Sequence, residues 1–170
     1  MLPAREEDPV KGYQFAHEAD AVFGDLDAMG HVNNVVYLKW LETARIAYWI
    51  HVTGQRAHTG LPAAGGASHE PGPGIMSGVL IDMILARTEI DYRSPVSYGE
   101  RLEIFVRTSL IKRSSLVFEY AVRSKSDQRM VAEAKTVVVC YDYERMRSKA
   151  VSPELTTAIL ALDKEARVEI

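Results

Sequence analysis

The stretch that decides the fold is Asn33-Asn34-Val35-Val36-Tyr37-Leu38-Lys39-Trp40-Leu41-Glu42-Thr43-Ala44-Arg45-Ile46-Ala47-Tyr48-Trp49-Ile50-His51-Val52. It contains neither glycine nor proline and opens on asparagines, whose short side chains accept from the free N–H groups of a first helical turn. Gly54 stands just past its end, where a helix often needs a left-handed residue. The spacing predicts a helix over residues 33–52, with Asn33 or Asn34 as its cap. Its apolar residues run nearly all the way round, the pattern of a helix buried on most sides.

Working outward, most of the chain beyond this helix reads as sheet. Upstream, Tyr13 to Phe23 predicts a first strand, followed by a turn-rich loop from Gly24 to Gly30. Downstream, Val79 to Arg93 is apolar-rich, and Arg101 to Ile111 alternates with Leu102, Ile104, Val106, Thr108 and Leu110 on one face. Lys112 to Ser115 predicts a hairpin turn, and Leu116, Phe118, Tyr120 and Val122 give the next alternation. After a polar turn at Ser124 to Arg129, Met130 to Tyr143 includes Val137-Val138-Val139-Cys140, which reads as a strand buried on both faces. Three strands joined by two short turns form an antiparallel meander. The fold class expected is α+β: a curled antiparallel sheet wrapped around one long central helix.

Residues 1–12 read as a loose arm and 13–151 as the domain. Ser152-Pro153 starts a C-terminal helix and tail over 152–170. Residues 53–78 are rich in glycine and proline, which reads first as a loose insertion and second as a lid.

Composition narrows the function. With 20 Lys plus Arg against 23 Asp plus Glu and a net charge of −3, the chain lacks the basic surplus of a nucleic-acid binder. No apolar run approaches membrane-spanning length, so no membrane partner is expected. The first residues lack the order of a secretory signal. A single cysteine, Cys140, fits a reducing compartment, and the expectation is a cytoplasmic protein.

The segment before the helix, Phe23-Gly24-Asp25-Leu26-Asp27-Ala28-Met29-Gly30-His31-Val32-Asn33-Asn34, sets a carboxylate, an imidazole and two amides at a helix N-terminus. Free N–H groups and the positive end of the dipole favour a negative oxygen there. Such a place would stabilise the oxyanion formed when a carbonyl is attacked. A carboxylate beside it makes a minimal hydrolytic arrangement.

This segment resembles the 4-hydroxybenzoyl-CoA thioesterase-like family of the hotdog fold, in its Asp-x-x-x-His-Val-Asn-Asn branch. Asp27, Gly30, His31, Val32, Asn33, Asn34, Tyr37, Glu42, Ala44 and Arg45 match that pattern in order and spacing. Ile90-Asp91-Tyr92-Arg93-Ser94-Pro95-Val96, Gly99-Glu100-Arg101-Leu102 and Lys112-Arg113-Ser114-Ser115 add weaker matches.

The resemblance implies hydrolysis of an acyl-CoA to free acid and coenzyme A, with coenzyme A as part of the substrate and no separate cofactor. Asp27 falls on the family's carboxylate, as general base or as nucleophile. The backbone N–H near Asn34 falls where the carbonyl is polarised, and His31 and Asn33 orient water or Asp27. Arg93, Lys112, Arg113 and Ser114 are the candidates for the coenzyme A phosphates. The resemblance also implies a homodimer, or a dimer of dimers, with the ligand at the boundary between subunits. Two rivals stand beside it: a thioesterase acting on acyl-carrier protein, and a non-catalytic acyl-CoA-binding module.

Plainer readings accompany each residue. Asp27 could serve only to hold helix N–H groups, and Asp25 is the confusable neighbour with the wrong spacing to His31. His31 could be a simple hydrogen-bonder at the helix end. Glu42 and Arg45, three apart on a helix, read as an ion pair. Arg93, Lys112 and Arg113 read first as solvated turn charges and second as phosphate contacts. His51, His58 and His69 lack metal-ligand spacing, so no metal site is expected. Cys140 reads as core.

Overall fold

A computed structural model describes residues 8–54 and 83–169. Apart from Thr53 and Gly54, the glycine- and proline-rich segment lies outside the described residues, as do His58, His69 and most of the arm. In chain order the elements are β1 (Phe15–Asp20), a 3-10 turn (Phe23–Asp25), α1 (Asn34–Thr53), β2 (Met83–Tyr92), β3 (Arg101–Lys112), β4 (Ser115–Ser124), β5 (Met130–Asp142), β6 (Arg147–Ser148), α2 (Pro153–Leu162) and β7 (Arg167–Glu169).

The strands form one sheet in the order β1-β3-β4-β5-β2. Every pairing along that path is antiparallel. The meander is set by short turns at Arg113–Ser114 and 125–129, between runs of strict alternation. Leu102, Ile104 and Val106 of β3, Leu116, Phe118, Tyr120 and Val122 of β4, and Val138 of β5 are buried on one face. Against that face lies α1, whose Tyr48 meets Phe118 edge-on at 5.5 Å and Phe15 at 5.7 Å. Burying each such side chain contributes about 1.5–3 kcal/mol. The opposite face of the sheet is solvated and carries registered charges: Lys135, Glu119 and Arg107 sit side by side on three strands. Arg107 and Glu119 approach to 2.8 Å. Tyr13 stacks on Arg107 at 4.6 Å, and burial pushes its hydroxyl up to about 12.

The curled antiparallel sheet with α1 against it fits a hotdog fold, and α1 is not its sole helix: the one expected from Ser152-Pro153 joins it. The second, α2, is capped by the Ser152 hydroxyl, which accepts from Leu155 N at 3.1 Å, with Pro153 at the first helical position. At its far end Asp163 reaches the middle of the structure. Its Oδ2 accepts from Tyr48 Oη at 2.5 Å and from Thr108 N at 2.7 Å. That strand N–H needs an acceptor because β1 ends opposite Val106 and β7 joins the same edge only at Leu110. Asp163 fills the gap between them.

Four expectations are corrected. The first strand is shorter than Tyr13 to Phe23, because the chain leaves the sheet at Ala21 and turns at Phe23–Asp25. Leu110 is not on the buried face: a register shift between Thr108 and Leu110 turns Ile111 inward instead. Val137 to Cys140 is not buried on both faces, since Val138 and Cys140 are buried while Val137 and Val139 are only half-buried. Finally, α1 is not enclosed all round. Tyr37, Trp40, Leu41, Ala44, Arg45, Tyr48 and Trp49 face the core, while Val35, Leu38, Lys39, Glu42 and Thr43 are exposed within a single chain.

Candidate functional site

The loop between β1 and α1 is built from short-range bonds. Asp27 N donates to His31 O at 2.8 Å, and Gly30 N donates to Asp27 O at 3.0 Å. Closing so tight a turn puts Gly30 at φ +81°, a region that side chains other than glycine rarely adopt. Leu26 and Val32 form a bridge at the mouth of the loop. Val32 N donates to Val96 O at 2.9 Å, and Asn33 N donates to Asp25 O at 2.8 Å.

The two nearby aspartates have different surroundings. Asp25 is 8% exposed, and its Oδ2 accepts from Val22 N at 3.0 Å, closing the 3-10 turn. Asp27 is exposed, and one of its oxygens, Oδ1, accepts from Met29 N at 2.8 Å. That bond fixes the carboxylate on the outside of the loop. Asp25 is a structural residue.

Asn33 is the helix cap, with extended backbone, and its Oδ1 accepts from Val35 N at 3.1 Å. Its carbonyl accepts from Val36 N at 2.9 Å. The next N–H, that of Asn34, is left without a protein acceptor among the described residues. It sits at the positive end of a twenty-residue helix whose other end is closed by Gly54 at φ +64°. An exposed carboxylate and an uncommitted helix N-terminal donor thus belong to one short loop. Together they can pull on a carbonyl oxygen and direct a water or an attacking oxygen at its carbon. His31 is exposed on the same loop. Tyr92, on the edge strand, meets Tyr37 edge-on at 5.0 Å and donates to Asn34 O at 3.4 Å. Burial pushes the Tyr37 hydroxyl above its usual range.

Asp27, His31, Asn33 and Asn34 are therefore brought together, whereas the phosphate candidates are divided. Arg93 follows β2 where its backbone N donates to Val131 O at 2.8 Å, at the same end of the sheet as Val96 and the loop. Its guanidinium is engaged by Glu133 at 2.7 Å and Asp91 at 3.8 Å. Lys112, Arg113 and Ser114 lie at the β3–β4 hairpin, where Cys140 N donates to Ser114 O at 2.9 Å. From Val131 to Cys140 the strand covers roughly 30 Å at its usual rise. Within one chain these residues form no common site. Lys112 faces Glu169 at 3.9 Å.

The pairing expected between Glu42 and Arg45 is replaced by another contact. Arg45 is buried and donates to Tyr120 Oη at 3.3 Å, and Tyr120 and Thr136 share a hydrogen bond at 3.0 Å. His51 stacks against Phe15 at 5.3 Å. Cys140 is buried in β5. Among the described residues there is no cluster of three or more histidine, cysteine, aspartate or glutamate side chains that could hold a metal ion. No helix among them is long and apolar enough to cross a membrane.

What the sequence motif missed is the frame around the loop, above all Arg129 and Glu100. Arg129 lies in no motif, Glu100 stands only within the weak Gly99-Glu100-Arg101-Leu102 match, and the two meet through a contact distant in sequence.

Residues 21–159, from just past β1 into α2, match the family model of the thioesterase-like superfamily. The chain belongs to the thioesterase-like superfamily. Among curated proteins none matches it. Solved structures are similar over most of the chain. A thioesterase from Thermus thermophilus, solved in complex with coenzyme A and Zn, is 28% identical with a TM-score of 0.70, over 91% of this chain and 97% of that one. A Pseudomonas aeruginosa protein is 25% identical with a TM-score of 0.68, over 92% and 96%. A 1,4-dihydroxy-2-naphthoyl-CoA thioesterase from Synechocystis is 19% identical with a TM-score of 0.67, over 88% and 97%, and that likeness concerns the fold.

Proposed function

We propose that this superfamily member is an acyl-CoA thioesterase, in which Asp27 activates water or attacks the thioester directly while the Asn34 N–H holds the developing oxyanion. The observation that carries the reading is the exposed Asp27 carboxylate on the same short loop as the uncommitted Asn34 N–H. In the general-base route, Asp27 takes a proton from water as its oxygen adds to the carbonyl carbon, and collapse of the tetrahedral intermediate expels the coenzyme A thiolate. In the nucleophilic route, an Asp27 oxygen forms a mixed anhydride, which water then cleaves. Both routes leave a free acid and a thiol, and neither calls for a cofactor. His31 and Asn33 orient the attacking group.

The divided phosphate candidates fit a homodimer. β5 is the only strand partner of β2 among the described residues, so a ten-residue edge is open and exposes Ile84 and Leu85. Pairing two such edges antiparallel lays the Met83 end of one copy beside the Tyr92 end of the other. The Lys112–Ser114 hairpin of a second copy would then approach the end that carries Asp27 and Arg93. In this reading the coenzyme is met by a few cations from two chains.

The test is thiol release from a panel of acyl-CoA substrates by the wild type and Asp27→Asn. Asparagine can still accept from Met29 N, so the loop keeps its shape. Turnover is expected to fall about 100-fold or more, the range for loss of a general base. Near-wild-type turnover in the variant overturns the role of Asp27. A panel that releases no thiol, alongside activity on matched acyl-carrier protein, would move the substrate to the carrier. Binding of acyl-CoA without turnover of either would make the protein a binding module.

A further inference from the structure

We propose that Arg129 is a positioning residue for this hydrolysis: it fixes the turn at residues 94–100, and that turn holds the Asp27–Asn34 loop. The inference rests on the thioesterase reading above. Arg129 lies just before β5, and its guanidinium makes hydrogen bonds to four groups. Nη1 donates to Ser94 Oγ at 2.7 Å and to Pro95 O at 2.9 Å. Nη2 donates to Glu100 Oε2 at 2.6 Å, and Nε donates to Asp127 Oδ2 at 3.1 Å. Ser94 Oγ in turn donates to Met130 O at 2.7 Å, and Glu100 Oε1 accepts from Ser97 N at 2.8 Å. The turn is thus gripped at both ends by one cation, with charge-assisted bonds on one side.

Between those grips lies Val96, fully buried, and its carbonyl accepts from Val32 N at 2.9 Å. Val32 stands between His31, whose carbonyl accepts from Asp27 N, and Asn33, the cap of α1. The same turn holds the other end of the loop, because Ala21 N donates to Glu100 O and Gly99 N to Ala21 O, both at 2.9 Å. Among the described residues, every backbone hydrogen bond from the sheet side to the two ends of this loop therefore runs through the segment that Arg129 clamps, with the 3.4 Å bond from Tyr92 Oη to Asn34 O the one side-chain tie outside it. The distance from Asp27 to the Asn34 N–H is set inside the loop, but the loop's placement against the sheet is set from the turn. A lysine cannot do the same, since a point ammonium lacks the fork that reaches Ser94, Pro95 and Glu100 at once.

The experiment compares wild type, Arg129→Gln, Arg129→Lys and a control, Arg107→Gln, which loses a comparable ion pair on the solvated face of the sheet. With the acyl-CoA that the wild type hydrolyses fastest, Arg129→Gln is expected to lower kcat about 10- to 100-fold, the scale of a small misplacement of reacting groups, while KM changes less than about threefold. Arg129→Lys should stay within about threefold of Arg129→Gln, and Arg107→Gln should stay within about twofold of wild type. Amide hydrogen exchange supplies a readout independent of turnover. Val32 and Asn33 should exchange at least about tenfold faster in Arg129→Gln, with Thr108 unchanged.

Unchanged kcat, unchanged exchange at Val32, uniform loosening of the sheet, or full activity of Arg129→Lys would each overturn the proposal. If the wild type cleaves no acyl-CoA, the acyl-CoA reading falls, and the exchange result alone decides whether Arg129 holds the loop. If Arg129→Gln does not fold, Glu100→Gln removes the charged partner and should show the same direction at Val32 and in kcat. No change there overturns it equally.

Discussion

Tyr48 donates its hydroxyl hydrogen to Asp163 at 2.5 Å, tying the buried side of α1 to the C-cap of α2. Asp163 is 5% exposed, its Oδ1 is without a partner, and burial raises its carboxyl above the usual range. For an acid raised in the folded state, the native protein binds more protons than the unfolded chain between the two pKa values. The slope of stability with pH is then negative in that window. Relative to Asp163→Asn, the wild type is expected to lose stability as pH rises from about 3.9, the ordinary aspartate value, through the raised folded value, and to level off above it. Urea midpoints of both proteins between pH 3.5 and 8 measure this. A difference that stays flat, or that grows in favour of the wild type, contradicts it.

Asp25 and Asp27 separate on stability as well as on turnover. Asp25→Ala removes the acceptor for the partly buried Val22 N–H and should cost about 1 kcal/mol, the net worth of an ordinary hydrogen bond. Asp25→Asn retains an acceptor and should be mild in both folding and activity. A loss of turnover in Asp25→Asn as deep as in Asp27→Asn would reverse the two assignments.

The register shift in β3 gives a third comparison. Ile111→Ala should cost about 2–5 kcal/mol, the usual range for truncating a buried aliphatic. Leu110→Ala, on the half-buried side, should cost clearly less. Chemical denaturation with unchanged m-values decides it, and equal losses would put both side chains in the core.

The open edge predicts oligomeric state. Light scattering on the wild type should return twice the 19.0 kDa of the chain, and an Ile84→Glu, Leu85→Glu double variant should return a single chain. A wild type at 19.0 kDa, or a double variant that stays paired, removes β2 as the joint.

The parts legible in the sequence are those decided by neighbours. Asn33 and Gly54 bracket α1 within a residue of the expected ends, because a cap and a left-handed stop are local events. The meander followed from alternation, and the Asp27–Asn34 loop from a contiguous motif. What escaped was decided across the fold. Nothing near Leu110 announces the extra residue that turns Ile111 inward. The apolar side chains of Val35 and Leu38, 65% and 46% exposed in one chain, suggest an enclosure that a single copy does not supply. Arg129 and Asp163 are ordinary charged residues until 29 to 35 positions of chain in one case, and 55 to 115 in the other, fold back upon them.

The gap along β3 that Asp163 fills also has a consequence in time. Synthesis runs from the N-terminus, so β1, α1 and the whole meander leave the ribosome before the residue that satisfies Thr108 and Tyr48. Until residues 163–169 emerge, the second strand of the sheet keeps an unpaired stretch of backbone, and the hydroxyl of Tyr48 has only Thr108 to bind. The nascent domain therefore carries a ready template for a stray strand from the emergence of β3 until that of the tail. The tail, which adds little to the core, acts as a latch that covers the stretch of β3 that β1 leaves open.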